Sequence, residues 1–174
     1  WNNAQLRETV REALQRKTRK TVLQSSAMET PPNAKQPPES GKDAESSQAV
    51  KLLLVEDSED DASLAIQILR REGFEPQYER VESAATMQAA LKRQAWDAVI
   101  SDFNLPGFSG LDALGILKAT GVDIPFILIS GALGEETAAE AMKAGASDYV
   151  MKSNLARLAP ALKRELREAA ARAA

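Results

Sequence analysis

Short apolar runs alternate with stretches of helical periodicity from Val50 to the C-terminus. The apolar runs predict five strands, at residues 50–55, 76–81, 98–101, 126–130 and 148–151. The stretches after them predict five helices, at residues 60–72, 83–94, 111–120 and 135–144 and from about Asn154 towards the end. The last helix contains Pro160, which a helix tolerates only in its first turn. Five strands that alternate with five helices predict an α/β fold, a doubly wound parallel sheet with helices on both faces.

The first 49 residues have a different pattern. Residues 1–24 predict a basic helix, because six basic and two acidic residues accompany a short apolar face that fails at Lys17. We expect a solvated helix at the end of a missing upstream region, or a tether. Residues 25–49 are rich in Pro and Ser and predict a disordered linker. The globular domain is therefore expected to span residues 50–174.

Composition removes several classes of chemistry. The 174 residues contain no Cys and no His, which excludes disulfides, thiol catalysis, Ser-His triads and zinc sites built from these ligands. A net charge of −3 does not favour nucleic acid as a partner. No apolar run approaches the roughly 20 residues that cross a bilayer, so we expect no membrane span and a cytoplasmic location.

Polar side chains follow four of the predicted strands. Glu56 and Asp57 follow the first, Asp102 the third, Ser130 the fourth and Lys152 the fifth. The carboxyl ends of parallel strands share one edge, and the strand order 2-1-3-4-5 places the first strand beside the third. Clustered carboxylates without Cys or His favour a hard cation such as Mg²⁺, which binds phosphate oxygens. The pattern therefore predicts a magnesium site suited to phosphoryl chemistry.

Four motifs give this arrangement a family resemblance. They are Leu53-Leu54-Val55-Glu56-Asp57-Ser58-Glu59-Asp60-Asp61, Ser101-Asp102-Phe103-Asn104-Leu105-Pro106-Gly107, Ile129-Ser130-Gly131 and Asp148-Tyr149-Val150-Met151-Lys152. Together the motifs resemble the receiver domain of two-component response regulators, in its stand-alone or hybrid-kinase form. The resemblance runs from about Lys51 to the C-terminus, and it implies a flavodoxin-like (βα)5 fold.

The resemblance also implies a role for each acidic site residue. Asp102 would accept the phosphoryl group and contact the metal. Asp57 would bind Mg²⁺ directly, Glu56 would act mainly through water, and Asn104 would offer its backbone carbonyl to the metal.

The remaining implied roles concern the response to phosphorylation. Ser130 would be the switch hydroxyl, Tyr149 the switch aromatic and Lys152 the phosphate-binding lysine. Receivers usually follow this lysine with a proline in a cis peptide, whereas Ser153 stands here. A cis bond without proline costs about 2.5 to 4 kcal/mol, so we expect a trans bond or a strained loop.

The resemblance implies a signalling protein whose only catalysis is self-directed phosphotransfer and autodephosphorylation. A histidine kinase or a histidine phosphotransfer protein, on another molecule or on a missing upstream part, would donate the phosphoryl group. A surface of the fourth helix, fifth strand and fifth helix would then contact a protein effector or a second copy of the chain. Neither nucleic acid nor membrane is an expected partner.

Two alternatives remain open. A Mg²⁺-dependent aspartyl-phosphate phosphatase of the haloacid dehalogenase type would need a second Asp where Asn104 stands, and the chain leaves no room for a substrate cap. A pseudo-receiver used only for assembly would not need to keep the acidic pair of Glu56 and Asp57, and it would not need Asp102, Ser130 and Lys152 either.

Overall fold

A computed structural model of the chain describes residues 47–131 and 135–174. The predicted helix at residues 1–24 lies outside the described residues, as does the predicted linker as far as residue 46. The boundary at residue 24 therefore stays a prediction, whereas Gln48 and Ala49, which were predicted as linker, pair with β2 as the first residues of β1.

The described strands form a parallel sheet and a small hairpin. In chain order they are β1 (Gln48–Val55), β2 (Phe74–Val81), β3 (Ala98–Asp102), β4 (Asn104–Leu105), β5 (Phe108–Ser109), β6 (Phe126–Ser130) and β7 (Asp148–Met151). The sheet has the order β2-β1-β3-β6-β7, and all its pairs are parallel. This is the predicted 2-1-3-4-5 order, so the doubly wound fold is confirmed.

Helices follow each strand of this sheet. They are α1 (Glu59–Arg71), α2 (Ala84–Arg93), α3 (Gly110–Ala119), α4 (Glu135–Ala144) and α5 (Leu158–Ala173). The last predicted helix was placed too early, because a 3₁₀ helix (Lys152–Arg157) precedes α5. Pro160 is the third residue of α5, where its missing N–H loses no intrahelical hydrogen bond. Within the described ranges, every helix is too short or too polar to span a bilayer.

Two hydrophobic layers cover the sheet, and β1 contributes to both. Leu52 and Leu54 belong to the layer that contains α1 and α5, whereas Leu53 and Val55 belong to the layer that contains α2 and α3. Successive side chains of a strand point to opposite faces, so an inner strand buried on both sides is apolar throughout. β2 lies at the sheet edge, as its more polar sequence predicted.

The sequence did not predict the hairpin of β4 and β5. Pro106 and Gly107 form its turn, and Gly107 has a φ of 80°, which a glycine adopts without steric cost. Leu105 and Phe108 pack against the layer that contains α2 and α3. The hairpin therefore fixes the chain between Asp102 and the start of α3.

Candidate functional site

The predicted site residues lie at the carboxyl edge of the sheet. Asp102 is the last residue of β3 and Ser130 is the last residue of β6, while Glu56 directly follows β1 and Lys152 directly follows β7. β3 lies between β1 and β6 in the sheet. Four separate segments of the sequence therefore meet at this edge of the sheet.

Lys152 is the centre of the charged contacts. Its Nζ donates a hydrogen bond to Asp102 Oδ2 at 2.7 Å and another to Asp61 Oδ2 at 2.7 Å. Glu56 Oε2 lies 3.6 Å from the same nitrogen. Oxygens of Glu56, Asp61 and Asp102 lie within 4.8 Å of one another, and these three side chains are called the carboxylate cluster below. One ammonium group thus faces three carboxyl groups.

The cluster is largely shielded from water. The exposed fraction is 7% for the Asp102 side chain, 10% for Glu56, 17% for Lys152 and 24% for Asp61. Burial alone would lower the pKa of Lys152, but its hydrogen bonds to Asp102 and Asp61 outweigh this effect, and the pKa is raised. Lys152 is therefore a permanent cation at neutral pH.

Glu56 has the most perturbed carboxyl group of the site. Burial raises its pKa from 4.5 to about 7, and the nearby Asp102 and Asp61 also raise it. The backbone N–H of Ser58 donates to Glu56 Oε1 at 2.9 Å, which together with Lys152 limits the rise. Near neutral pH, Glu56 can therefore change its charge when a cation arrives.

Asp57 does not join the carboxylate cluster. Its side chain is exposed, and the group of carboxylates within 4.8 Å of one another contains Asp61 in its place. The loop that carries Asp57 is nevertheless held in position, because Arg80 Nη1 donates to the backbone carbonyls of Glu56 at 3.0 Å and Asp57 at 3.3 Å. Asp57 therefore lies at the solvent side of the site.

The backbone beyond Asp102 is fixed by two close contacts. The N–H of Asn104 donates to Asp102 Oδ1 at 3.2 Å, while the Asn104 side chain is exposed. The N–H of Gly110 donates to the carbonyl of Phe103 at 2.8 Å. A Cβ on Gly110 would lie 2.8 Å from the carbonyl oxygen of Asp102, so only glycine allows α3 to begin this close to the strand end.

Ser130 and Tyr149 occupy neighbouring strands. Ser130 Oγ is fully buried and, among the residues that the structure describes, has no hydrogen-bond partner. Tyr149 is half-buried, its hydroxyl donates to Met151 Sδ at 2.9 Å, and burial raises its pKa. An unsatisfied buried hydroxyl is unusual, and it leaves Ser130 able to donate to a new acceptor.

Asp61 is the site residue that sequence reasoning missed. It lies in the quoted acidic run, in the first turn of α1, four residues after Asp57. Lys152 is 91 positions away in the sequence, so only the fold reveals their contact. The available signal was its place in the first turn of the helix that follows β1, because that turn starts at the carboxyl edge of the sheet.

An open, parallel α/β sheet with an acidic cluster and a lysine at its carboxyl edge agrees with the receiver fold that the four sequence motifs predicted. A sequence model described as the response regulator receiver domain matches residues 52–163. The chain belongs to this family, whose members are receiver domains of two-component response regulators.

Individual relatives agree with this assignment. The chain is 36% identical over 104 residues to the response regulator protein FleR of Pseudomonas aeruginosa, a match that covers 60% of this chain and 22% of FleR. It is 30% identical over 105 residues to the chemotaxis protein CheY-3 of Vibrio cholerae, covering 59% of this chain and 80% of CheY-3. The chain thus spans only about a fifth of FleR but most of CheY-3.

Solved structures show the same fold. NtrX from Brucella abortus matches with a TM-score of 0.64 and 31% identity, over 72% of this chain and 28% of that protein. The receiver domain of the sensor histidine kinase PA1611 from Pseudomonas aeruginosa matches with a TM-score of 0.59 and 25% identity, over 68% of this chain and 98% of that domain. That receiver was solved with a magnesium ion coordinated in its active site cleft.

Proposed function

We propose that this receiver accepts a phosphoryl group on Asp102, with Mg²⁺ as its cofactor. The observation that carries the proposal is the pairing of Asp102 Oδ2 with Lys152 Nζ at 2.7 Å inside the carboxylate cluster. A cation held at the strand end can neutralise charge on a phosphoryl group that is being transferred there. The family assignment supports the same role for this aspartate.

The donor set fits Mg²⁺. The carboxylate cluster offers oxygen atoms, which this hard ion prefers, and the magnesium-bearing PA1611 receiver is a relative of the same family. Asp57 and Asp102 would bind the ion directly, Asn104 would contribute its backbone carbonyl, and Glu56 would act mainly through water. Bound Mg²⁺ would offset the charge of the carboxylates and the phosphoryl oxygens.

The proposed reaction is a phosphoryl exchange between two side chains. A carboxylate oxygen of Asp102 attacks the phosphorus of a phosphohistidine on a partner protein, forming a P–O bond as the P–N bond breaks. The imidazole nitrogen leaves with the electron pair. Lys152 then pairs with a phosphoryl oxygen, and the buried hydroxyl of Ser130 donates to another. Hydrolysis of the acyl phosphate by water returns Asp102 to its free form.

The proposed donor is a histidine kinase or a histidine phosphotransfer protein, because this chain contains no histidine of its own. Movement of Ser130 towards the phosphoryl group would let Tyr149 turn inward. That movement would alter the surface formed by α4, β7 and α5, which we propose contacts a protein effector in the cytoplasm. A second copy of the chain is an alternative occupant of the same surface.

Labelling of the full chain with acetyl phosphate tests this function. We expect the intact mass to rise by one phosphoryl group with Mg²⁺ present, and not in chelator or in Asp102→Asn. Asp123→Asn is the control, since that aspartate pairs with Arg172 on the surface and should leave labelling unchanged. If neither acetyl phosphate nor any other small phosphodonor labels the wild-type chain, the assembly role of a pseudo-receiver would replace this function.

A further inference from the structure

Two helices of the domain begin with the same sequence pattern but use it differently. Ser58 precedes α1 and Ser109 precedes α3, and each is followed three residues later by an aspartate, Asp61 or Asp112. This Ser-x-x-acid pattern predicts a capping box, in which the serine accepts from the third residue's N–H and the acid accepts from the serine's N–H.

Of these two helices, only α3 has a complete capping box. There Asp112 Oδ2 accepts from the backbone N–H of Ser109 at 2.8 Å and also from its hydroxyl at 2.8 Å. At α1, Ser58 Oγ accepts from the Asp61 N–H at 3.3 Å, but the N–H of Ser58 donates to Glu56 instead. Glu56 therefore takes the place that the Asp61 carboxylate would occupy, and the Asp61 side chain turns to Lys152.

The resulting hydrogen bond is short, and the backbone of each acceptor residue is held in place. Asp61 Oδ2 lies 2.7 Å from Lys152 Nζ, the same distance as Asp102 Oδ2 on the other side. The backbone of Asp61 is fixed by the cap of α1, while Asp102 ends an inner strand. A lysine side chain has four flexible carbons and three donors, so one acceptor alone does not fix its position.

We propose that Asp61 is a positioning residue, which holds the ammonium group of Lys152 beside Asp102 in readiness for the incoming phosphoryl group. The inference rests on the function proposed above. When Asp102 becomes an acyl phosphate, its carboxyl oxygens lose their negative charge and become weaker acceptors, so Lys152 turns to a phosphoryl oxygen. Asp61 keeps its bond to Lys152 during this exchange. The ammonium group of Lys152 therefore keeps its position while the phosphoryl group is transferred.

The first test is the rate of labelling by acetyl phosphate in the full chain at saturating Mg²⁺. We expect Asp61→Ala to lower this rate about 3- to 10-fold, because Lys152 loses one of its two close acceptors. Asp61→Asn keeps an acceptor oxygen and should retain most of the rate. In a Lys152→Met background, Asp61→Ala should cause no further loss, since the residue acts through the lysine.

Two control variants separate positioning from general effects. Asp60→Ala removes an exposed acid from the same helical turn and should leave the rate unchanged. Asp112→Ala breaks the complete capping box of α3, so it should lower stability in urea without lowering the rate. A loss of rate that followed stability in all variants would overturn the inference.

Other results would also overturn it. Positioning through Lys152 would be contradicted by an unchanged labelling rate in Asp61→Ala, or by an equal loss of rate in Asp61→Asn. It would also be contradicted if Asp61→Ala lowered the rate as much in the Lys152→Met background as it does in the wild type. A weaker Mg²⁺ affinity with an unchanged saturating rate would make Asp61 a metal ligand instead.

A second measurement does not depend on phosphorylation. The order parameter of the Lys152 ammonium group, measured by NMR relaxation in the unphosphorylated full chain, should fall in Asp61→Ala and recover in Asp61→Asn. An order parameter that is equal in all three proteins would refute the inference. If it falls as expected while the wild type accepts no phosphoryl group, the contact stands and the proposed function fails.

Discussion

The raised pKa of Glu56 predicts an unusual dependence of stability on pH in the absence of divalent cations. Burial raises this pKa from 4.5 to about 7 in the folded protein, whereas the unfolded chain keeps the ordinary value. Between these two values the folded state holds a proton that the unfolded state has released. The free energy of unfolding contributed by Glu56 therefore falls as pH rises through this window. A shift of one pKa unit corresponds to about 1.4 kcal/mol, so the free energy of unfolding should fall by about 3 kcal/mol across the whole window.

Urea unfolding at several pH values between 4.5 and 8, in chelator, measures this effect. Other groups titrate in the same range, so the quantity to follow is the difference between wild type and Glu56→Gln, which cannot ionise. We expect wild type to lose about 3 kcal/mol relative to the variant across the window. Glu140→Gln is the control, because that glutamate is exposed on α4.

Adding Mg²⁺ should reduce the same difference, since a nearby divalent cation favours the ionised form of Glu56. A difference between wild type and Glu56→Gln that stays flat from pH 4.5 to 8 would refute the reasoning. A difference that rises with pH would show that interactions with Lys152 outweigh burial in setting the pKa of this carboxyl group.

Three further predictions follow from the site and its surroundings. Gly110→Ala should lower the free energy of unfolding by about 1 to 3 kcal/mol in urea, because its Cβ would lie 2.8 Å from the carbonyl oxygen of Asp102. Asp57→Ala should abolish labelling by acetyl phosphate at millimolar Mg²⁺ but leave the urea midpoint nearly unchanged, because the side chain is exposed; normal labelling would contradict its role as a metal ligand. Removal of residues 1–46 should change neither the melting temperature, followed by circular dichroism, nor the labelling rate, and a fall of several degrees would show that this segment stabilises the domain.

The strands and helices could be predicted from sequence because their apolar periodicity is local. The β6, α4 and β7 bounds agree with the prediction, and Gly73 and Gly121 end helices with positive φ values. The hairpin of β4 and β5 could not be predicted as strands, since each has only two residues and no periodicity. The 3₁₀ helix after β7 was missed for a different reason, because it and α5 form one continuous helical pattern in the sequence.

The site could be predicted only in part. Strand ends at the carboxyl edge identified Glu56, Asp102, Ser130 and Lys152, because parallel topology brings these ends together whatever the loops do. The arrangement inside the site depends on competition between acceptors. The backbone N–H of Ser58 donates to Glu56, so the Asp61 carboxylate can accept from Lys152 instead. The sequence pattern does not predict which of the two carboxylates accepts from Ser58.

The central claim is that Asp102 is the residue that accepts the phosphoryl group, and direct mapping of the modified residue tests it. The full chain is treated with acetyl phosphate and Mg²⁺, reduced with borohydride to convert an acyl phosphate to homoserine, and digested for peptide mass spectrometry. We predict homoserine at position 102 alone. Homoserine at Asp57 or Asp61, or a phosphate that survives reduction on a serine or threonine, would contradict the account.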